Sequence, residues 1–274
     1  MPPHEDVYPL SPLRRGLIIA VVTIATALYA LTLTIVNVAL PQIQGSFSAT
    51  QDQVAWVVTF NIVATAVATP MTGWLTGRFG QRRILLGSMS AFAVATFLCG
   101  ISGSLTELVV WRVMQGLAGG PLAPLCQAIV LDSTPREQQG GATAIFGMGV
   151  VLGPVIAPTV GGYLAEEYNW RWVFYIIIPV AVACFLGILA IIHDRHERRS
   201  VRLDWTGFIA LAVAIACLQL MLDRGQRNDW FESTEIIVEA SLALLAFYIF
   251  VVHSLSSANP FLNPRMLRDR NFTI

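Results

Sequence analysis

Apolar residues crowd into eight separate runs of this chain, at about 16–40, 54–76, 84–103, 107–131, 141–165, 173–192, 205–222 and 236–253, and what lies between them is short and polar. A helix rising about 1.5 Å per residue needs roughly 20 such residues to cross the hydrocarbon of a bilayer. The pattern therefore predicts eight transmembrane helices in an all-α, polytopic membrane protein. The first run follows Arg14 and Arg15, as the core of a signal peptide would. It is much longer than the roughly 7–15 residues of such a core and no small-residue cleavage site follows, so it reads as a retained helix.

Composition agrees with the pattern. Charged residues make up 12% of the 274 and hydrophobic ones 55%, whereas soluble domains carry roughly 25% charge. The 17 basic residues balance 17 acidic ones, leaving no basic field for nucleic acid, and none is expected as a partner. Every basic residue is an arginine. With the N-terminus in the cytoplasm, thirteen arginines fall on the cytoplasmic side, only Arg171, Arg224 and Arg227 fall outside, and Arg112 lies within a span. That bias is the one expected of cytoplasmic loops. It predicts a multi-pass protein of the plasma (inner) membrane with a cytoplasmic N-terminus.

The expected organisation is a cytoplasmic tail (1–15), a six-helix bundle (16–192), a basic cytoplasmic loop (193–204), an added helix pair (205–253) and a cytoplasmic linker (254–274). Helices 1–3 and 4–6 form triplets of opposite membrane orientation, a plan common in secondary transporters. Cys99, Cys126, Cys184 and Cys217 sit in apolar runs without paired spacing and read as small buried fillers. His4, His193, His196 and His253 lie in the tail, a basic loop or a span end. No metal site, carboxylate pair or Ser-His-Asp set can be assembled from the spans, so no enzyme is expected.

Three segments carry candidate chemistry. In the fifth run Gly149, Gly153, Ala157 and Gly161 recur every four residues, a flat stripe that admits a second helix at close range. Pro154 and Pro158 each remove a backbone donor and favour a bend. This stripe reads either as tight packing alone or as a helix that shapes and seals a pathway. In the fourth run Arg112, Gln115 and Gly119 share one face. An arginine in a span costs about 2.5–3.5 kcal/mol on insertion scales, which favours an interior, cavity-facing position over snorkelling toward Glu107 at the outer interface. The third segment is the loop 73–83, with Gly73, Gly77, Arg78, Gly80, Arg82 and Arg83. Its glycines permit a tight reversal and its arginines can cap the end of helix 2, bind a facing carboxylate, or simply anchor the topology. Trp56, Phe60 and Tyr29 are candidates to line an apolar cavity or to face lipid.

These pieces resemble the motifs of the major facilitator superfamily, in particular its fourteen-helix drug/proton antiporter branch of the EmrB/QacA type. Residues 34–41 (TIVNVALP) resemble that branch's helix 1 signature, 73–83 its loop signature, Arg112 to Gly116 its RxxQG signature, 149–162 its antiporter signature, and 169–174 (NWRWVF) the segment before helix 6. The resemblance extends over nearly all of residues 10–274. It implies export of hydrophobic, often cationic compounds by alternating access, driven by a proton gradient and without a cofactor. It carries over Arg112 to a proton-responsive polar network, Gly153 and Pro154 to a bending, leak-limiting element, and Asn37 to a pathway-facing position. Thr32, which the resemblance places with Arg112, Gln115 and Asn37 on the transport pathway, stands where the branch commonly has aspartate, Gly77 where its loop often has one, and Glu239 is the only acid well inside a run.

The same architecture places six further helices after the added pair, and residues 259–274 resemble the basic segment leading into the next one. The chain therefore reads as an incomplete N-terminal part, a half-transporter. It is not expected to move substrate unless a C-terminal bundle or a second chain completes it. Its expected partners are membrane lipid and a small hydrophobic or cationic substrate. Alternatives are a non-transporting membrane scaffold or remnant, and a facilitator-type transporter for another small molecule.

Overall fold

A computed structural model describes residues 11–193, 203–257 and 260–261. Eight helices are long and apolar enough to cross a membrane: α1 (Pro12–Phe47), α2 (Gln51–Phe79), α3 (Gln81–Ile101), α4 (Leu105–Ser133), α5 (Arg136–Glu167), α6 (Trp172–Ile191), α7 (Trp205–Arg224) and α8 (Thr234–Ser256). Each matches one apolar run. No strand occurs among the described residues, and the protein is an all-α, multi-pass membrane protein. Most of the C-terminal linker, most of the basic loop with His196, and residues 1–10 of the tail with His4 lie outside the described residues, while 11–15 already cap and begin α1.

Local chemistry sets the helix ends. Ser11 caps α1 by accepting from Arg14 N–H at 3.3 Å, with Pro12 in the first turn. α1 runs beyond its apolar core through Pro41 to Phe47, because Gln42 and Gln44 continue the helix, and it stops at Ser48 in the left-handed conformation. Thr50 and Gln53 close a reciprocal capping box at the start of α2. Ser104 accepts from Glu107 N–H at 3.2 Å to start α4, and Asp204 from Gly207 N–H at 3.0 Å to start α7. Three spans are less regular than their hydropathy. α2 tightens into a 3-10 turn at Thr69–Met71 around Pro70, α4 is interrupted between Gly119 and Leu122 beside Pro121, and α6 between Tyr175 and Ile177. α5 is helical through both Pro154 and Pro158.

One hydrophobic core joins α1 to α6, from Ile18 through Phe92, Leu122 and Phe174 to Ile188. Within it α1 packs along α5 and touches α4 and α6, while α3 packs on α4 and α6 and α2 lies along α4. α7 and α8 form a hairpin with a small core of its own at Ala210, Leu211 and Phe250, and α7 meets the bundle at α2.

Arginines stitch the helix ends. Arg14 donates to the Ile191 carbonyl at 3.2 Å and meets His193 Nδ1 at 2.7 Å, joining the start of α1 to the end of α6. Arg171 donates to Ser102 O at 3.1 Å and Gly100 O at 3.4 Å, capping the carbonyl end of α3, and lies 4.4 Å over the Trp170 ring. This gives the 169–174 segment a structural duty that its sequence did not specify.

Candidate functional site

The centre of interest is α4 at Arg112. Seven residues into the helix, about 10 Å from its start, this side chain is 0% exposed and is the largest fully buried one among the described residues. Its Nε donates to the Val57 carbonyl of α2 at 3.0 Å and its Nη1 to Gln115 Oε1. Gln115, also 0% exposed, passes the chain to α3: its Nε2 donates to Thr96 Oγ1 at 2.6 Å, and Thr96 Oγ1 donates to Phe92 O at 2.7 Å. Charge-assisted hydrogen bonds contribute about 1.5–3 kcal/mol each, so the two from Arg112 offset an insertion cost of about 2.5–3.5 kcal/mol. Among the described residues no carboxylate pairs with Arg112, and its Nη2 and the nearby Asn61 Oδ1 are buried without a partner.

The face shared by Arg112, Gln115 and Gly119 is buried, as its spacing predicts. It does not look into a crevice. Arg112 is enclosed at the junction of α2, α3 and α4 inside one bundle, and this corrects the cavity-facing expectation. Snorkelling is equally absent: Glu107 instead accepts from Gly103 N–H at 2.9 Å and from Trp111 Nε1 at 3.3 Å.

A polar ladder on α2, not singled out in the sequence, fastens this junction. Asn61 Nδ2 donates to Arg112 O at 2.7 Å, while the Thr65 and Thr69 hydroxyls, which donate to the own-helix carbonyls of Asn61 and Thr65 at 2.8 Å, share their proton with Gly116 O and Gly120 O, each 3.3 Å away. The sequence offset stays at 51 residues for all three pairs, and again for Gln81 Nε2 to Asp132 Oδ2 at 3.0 Å. α2 and α4 therefore run parallel in one register. Glycines make this possible, because a Cβ on Gly116 would collide with the Asn61 carbonyl and one on Gly120 with Ala68 Cβ and Thr65 O. On the other side Gly119 leaves room for the Tyr29 ring, which packs edge-on to Phe92 and whose hydroxyl lies 2.7 Å from Thr65 Oγ1. Asn61, Thr65 and Thr69, four residues apart in an apolar run, are the signal that could have found the ladder.

The small-residue stripe of α5 faces α1 as spaced. A Cβ on Gly149 would strike Thr23, on Gly153 the Ala27 carbonyl, and on Gly161 the Ile35 side chain, while Ala157 is fully buried. Gly162 stands at ordinary distance from Val38 and Pro158 is exposed, so neither belongs to the seam. Beside the seam α1 and α5 enclose an apolar groove of about 780 Å³, lined by Ala20, Ile24, Leu31, Met148, Leu152 and Ile156. Asn37 is exposed, a turn and a half beyond the last α1 residue of this groove, whereas Thr32 is buried with its hydroxyl on the Leu28 carbonyl at 2.7 Å. Thr32 therefore does not line a pathway face, a correction that follows from its pointing into the bundle.

In the 73–83 loop, Gly80 alone adopts a positive φ, of 89°, and makes the reversal; Gly77 is inside the helix and a Cβ on Gly73 would meet nothing. Arg82 donates to Leu189 O at 2.7 Å, capping α6 and not α2. Arg78 lies over the Trp74 and Phe79 rings at 5.6 and 5.7 Å, and Arg83 is exposed. Trp56 stacks on Phe60 at 4.8 Å between ring centres and takes Arg224 over its face at 4.6 Å; both rings line a pocket of about 450 Å³ between the starts of α2 and α4, as one of the two expectations has it, whereas Tyr29 is buried in the core.

The sequence profile of the Major Facilitator Superfamily matches residues 22–267. The chain is 38% identical over 267 residues to "Multidrug export protein EmrB" of Escherichia coli (strain K12), covering 97% of this chain and 52% of that protein. It is 37% identical over 270 residues to "Fatty acid resistance protein FarB" of Neisseria gonorrhoeae, covering 96% and 53%. The chain thus spans about half the length of the curated relatives it matches. Among solved structures, that of a peptide transporter, POT (E310Q mutant) in complex with sulfate, shares its fold with a TM-score of 0.64 at 18% identity, over 93% of this chain and 55% of that one.

Proposed function

Because this chain belongs to the Major Facilitator Superfamily, we propose that it supplies the N-terminal bundle and added helix pair of a proton-coupled exporter of hydrophobic or cationic compounds, working by alternating access in the plasma (inner) membrane with its N-terminus in the cytoplasm. The energy source is the proton gradient, and no cofactor takes part. A second bundle, from the same reading frame or another chain, faces the α1–α5 side and closes the pathway. The names of two relatives, one for multidrug export and one for fatty acid resistance, point to cargo with a large apolar part, which suits the apolar groove between α1 and α5.

The observation that carries this reading is the enclosed Arg112. A fixed positive charge held only by neutral acceptors raises the potential throughout a low-dielectric interior, so protonation of a group near it, or arrival of a cationic cargo, changes the relative energy of two bundle arrangements. Gly149, Gly153, Pro154, Ala157 and Gly161 keep α1 and α5 in contact as the halves move, limiting leak.

The test is export of ethidium from cells expressing the gene's complete reading frame, and proton-driven uptake of the dye by everted membrane vesicles. Arg112→Ala is expected to abolish proton-driven transport with the protein still in the membrane, and residues 1–274 alone are expected to move no dye. Transport by Arg112→Ala at the wild-type rate would overturn the assignment of Arg112.

A further inference from the structure

α2 is gripped from two sides at one level, and the second grip comes from the added pair. Val57 and Asn61, about 40° apart around the helix axis at 100° per residue, face α4 and hold Arg112. Thr59 lies between them in sequence and about 160–200° away around the axis, facing α7, where its buried hydroxyl donates to Asp223 Oδ2. The contact does not stand alone. Asp52, Trp56 and Thr59 are spaced i, i+4, i+7 and so form one stripe of α2. Against that stripe the end of α7 sets Arg227 at 3.5 Å from Asp52, Arg224 at 4.6 Å over the Trp56 ring, and Asp223 on Thr59. Arg224 also pairs with Glu235 at the start of α8, and Asn228 donates to the same carboxylate at 3.0 Å. The hairpin is thereby braced as a unit before it touches α2.

We propose that Asp223 is a positioning residue of the transport site: by accepting from Thr59 it sets the placement of the α2 turn whose other face, Val57 and Asn61, holds Arg112. The inference rests on the transport reading above. It gives the added pair a part in that site, although neither of its helices touches Arg112. Burial of Thr59 makes the hydrogen bond demanding, since a hydroxyl withdrawn from water and left unpartnered is costly, and the neighbouring Arg227 and Arg224 contacts keep the end of α7 in place to receive it. What matters is an acceptor at position 223, not a proton carrier.

In the complete reading frame, Thr59→Val and Asp223→Ala are each expected to lower the ethidium efflux rate at least fivefold at unchanged membrane level. The double variant should be no slower than the slower single, and Asp223→Ala combined with Asn61→Ala should likewise fall short of the product of the two losses. Asp223→Asn and Thr59→Ser keep acceptor and donor and should retain at least half of the wild-type rate. Wild-type rates in the first two variants, multiplying losses, or an Asp223→Asn as slow as Asp223→Ala would overturn the proposal. A readout free of transport accompanies these: Thr59→Cys with Asp223→Cys, in a background without native cysteines and with a protease site in the 193–204 loop, should leave the two fragments joined after oxidation and cleavage. An active wild type whose fragments separate sinks the clasp alone, while a wild type that moves no dye sinks the transport reading and this one with it.

Discussion

Replacing Gly116 by alanine tests the α2–α4 junction with a single methyl group. The added Cβ would sit under 3.0 Å from the Asn61 carbonyl and 3.0 Å from Ala64 Cβ, against about 3.5–4.0 Å for a relaxed carbon contact. The backbone on one side is rigid helix, so α2 and α4 must part by roughly 1 Å to restore van der Waals distance. That displacement takes Asn61 Nδ2 to Arg112 O from 2.7 Å past hydrogen-bonding range, while the Thr65 hydroxyl keeps its own-helix acceptor, Asn61 O, at 2.8 Å. Overpacking costs about 1–3 kcal/mol and the lost hydrogen bond about 1 kcal/mol, while Gly to Ala inside a helix returns about 1 kcal/mol. The net is about 1–3 kcal/mol of destabilisation, concentrated where Arg112 is held. The assay is thermal retention of the folded protein in detergent, measured beside dye efflux. Gly87→Ala in α3, where a Cβ meets nothing within 4 Å, is the matched control and should be neutral or mildly stabilising. If Gly116→Ala and Gly87→Ala behave alike in both assays, the close parallel approach of α2 and α4 is wrong.

Two further substitutions address the helix ends. Gly80→Ala forces a side chain onto φ 89° and should cost about 1–3 kcal/mol, whereas Gly77→Ala, in helical backbone, should leave melting unchanged or raise it; the reverse order in a thermal assay would put the reversal at Gly77. Asp204→Ala removes the cap of α7 together with the bonds that Asp204 accepts from His253 Nε2 at 2.9 Å and Phe261 N–H at 3.0 Å, and should destabilise the α7 start by about 1 kcal/mol. Partial burial pushes the Asp204 carboxyl up, but the hydrogen bonds from Gly207, His253 and Phe261 outweigh it and hold it below its ordinary value. A carboxyl so lowered contributes stability in full above its unfolded value of about 3.9 and loses it as pH falls through the native one. Amide exchange at the start of α7 should therefore differ between wild type and Asp204→Ala at pH 7 and converge in acid; a gap that widens in acid contradicts that sign.

Much of this fold is readable because lipid imposes one simple demand. Every spanning segment must bury its backbone polar groups in a helix and show apolar side chains outside, so hydropathy locates all eight spans, and the four-residue recurrence of Gly149, Gly153, Ala157 and Gly161 predicts a seam that the structure places against α1. What hydropathy does not carry is where polar side chains find partners. Arg82 and Arg171 cap the ends of α6 and α3, helices remote in sequence, because the partner is a carbonyl, and carbonyls are present at every position. Thr32 is a related case: a motif fixes its place in the sequence and not the direction it points, and the structure sets it among Leu28, Tyr29, Ile35 and Val36 in the buried side of α1.

An arginine too costly for lipid goes to the interior, and Arg112 is fully buried, but an interior position can be a crevice or a packed junction. Hydropathy treats both alike. The residues around it separate them. Gly116, Gly119 and Gly120 remove side chains from the very surface that a crevice would need to line, and small residues on a membrane helix mean that another backbone comes close. With Asn61, Thr65 and Thr69 spaced at four on α2, the two patterns are complementary: one helix supplies exposed carbonyls, the other supplies donors at the same interval. The guanidinium itself meets the Val57 carbonyl of α2 and the Gln115 amide oxygen of α4, which explains why Arg112 is tolerated without a carboxylate, and why its environment changes whenever α2 shifts along α4.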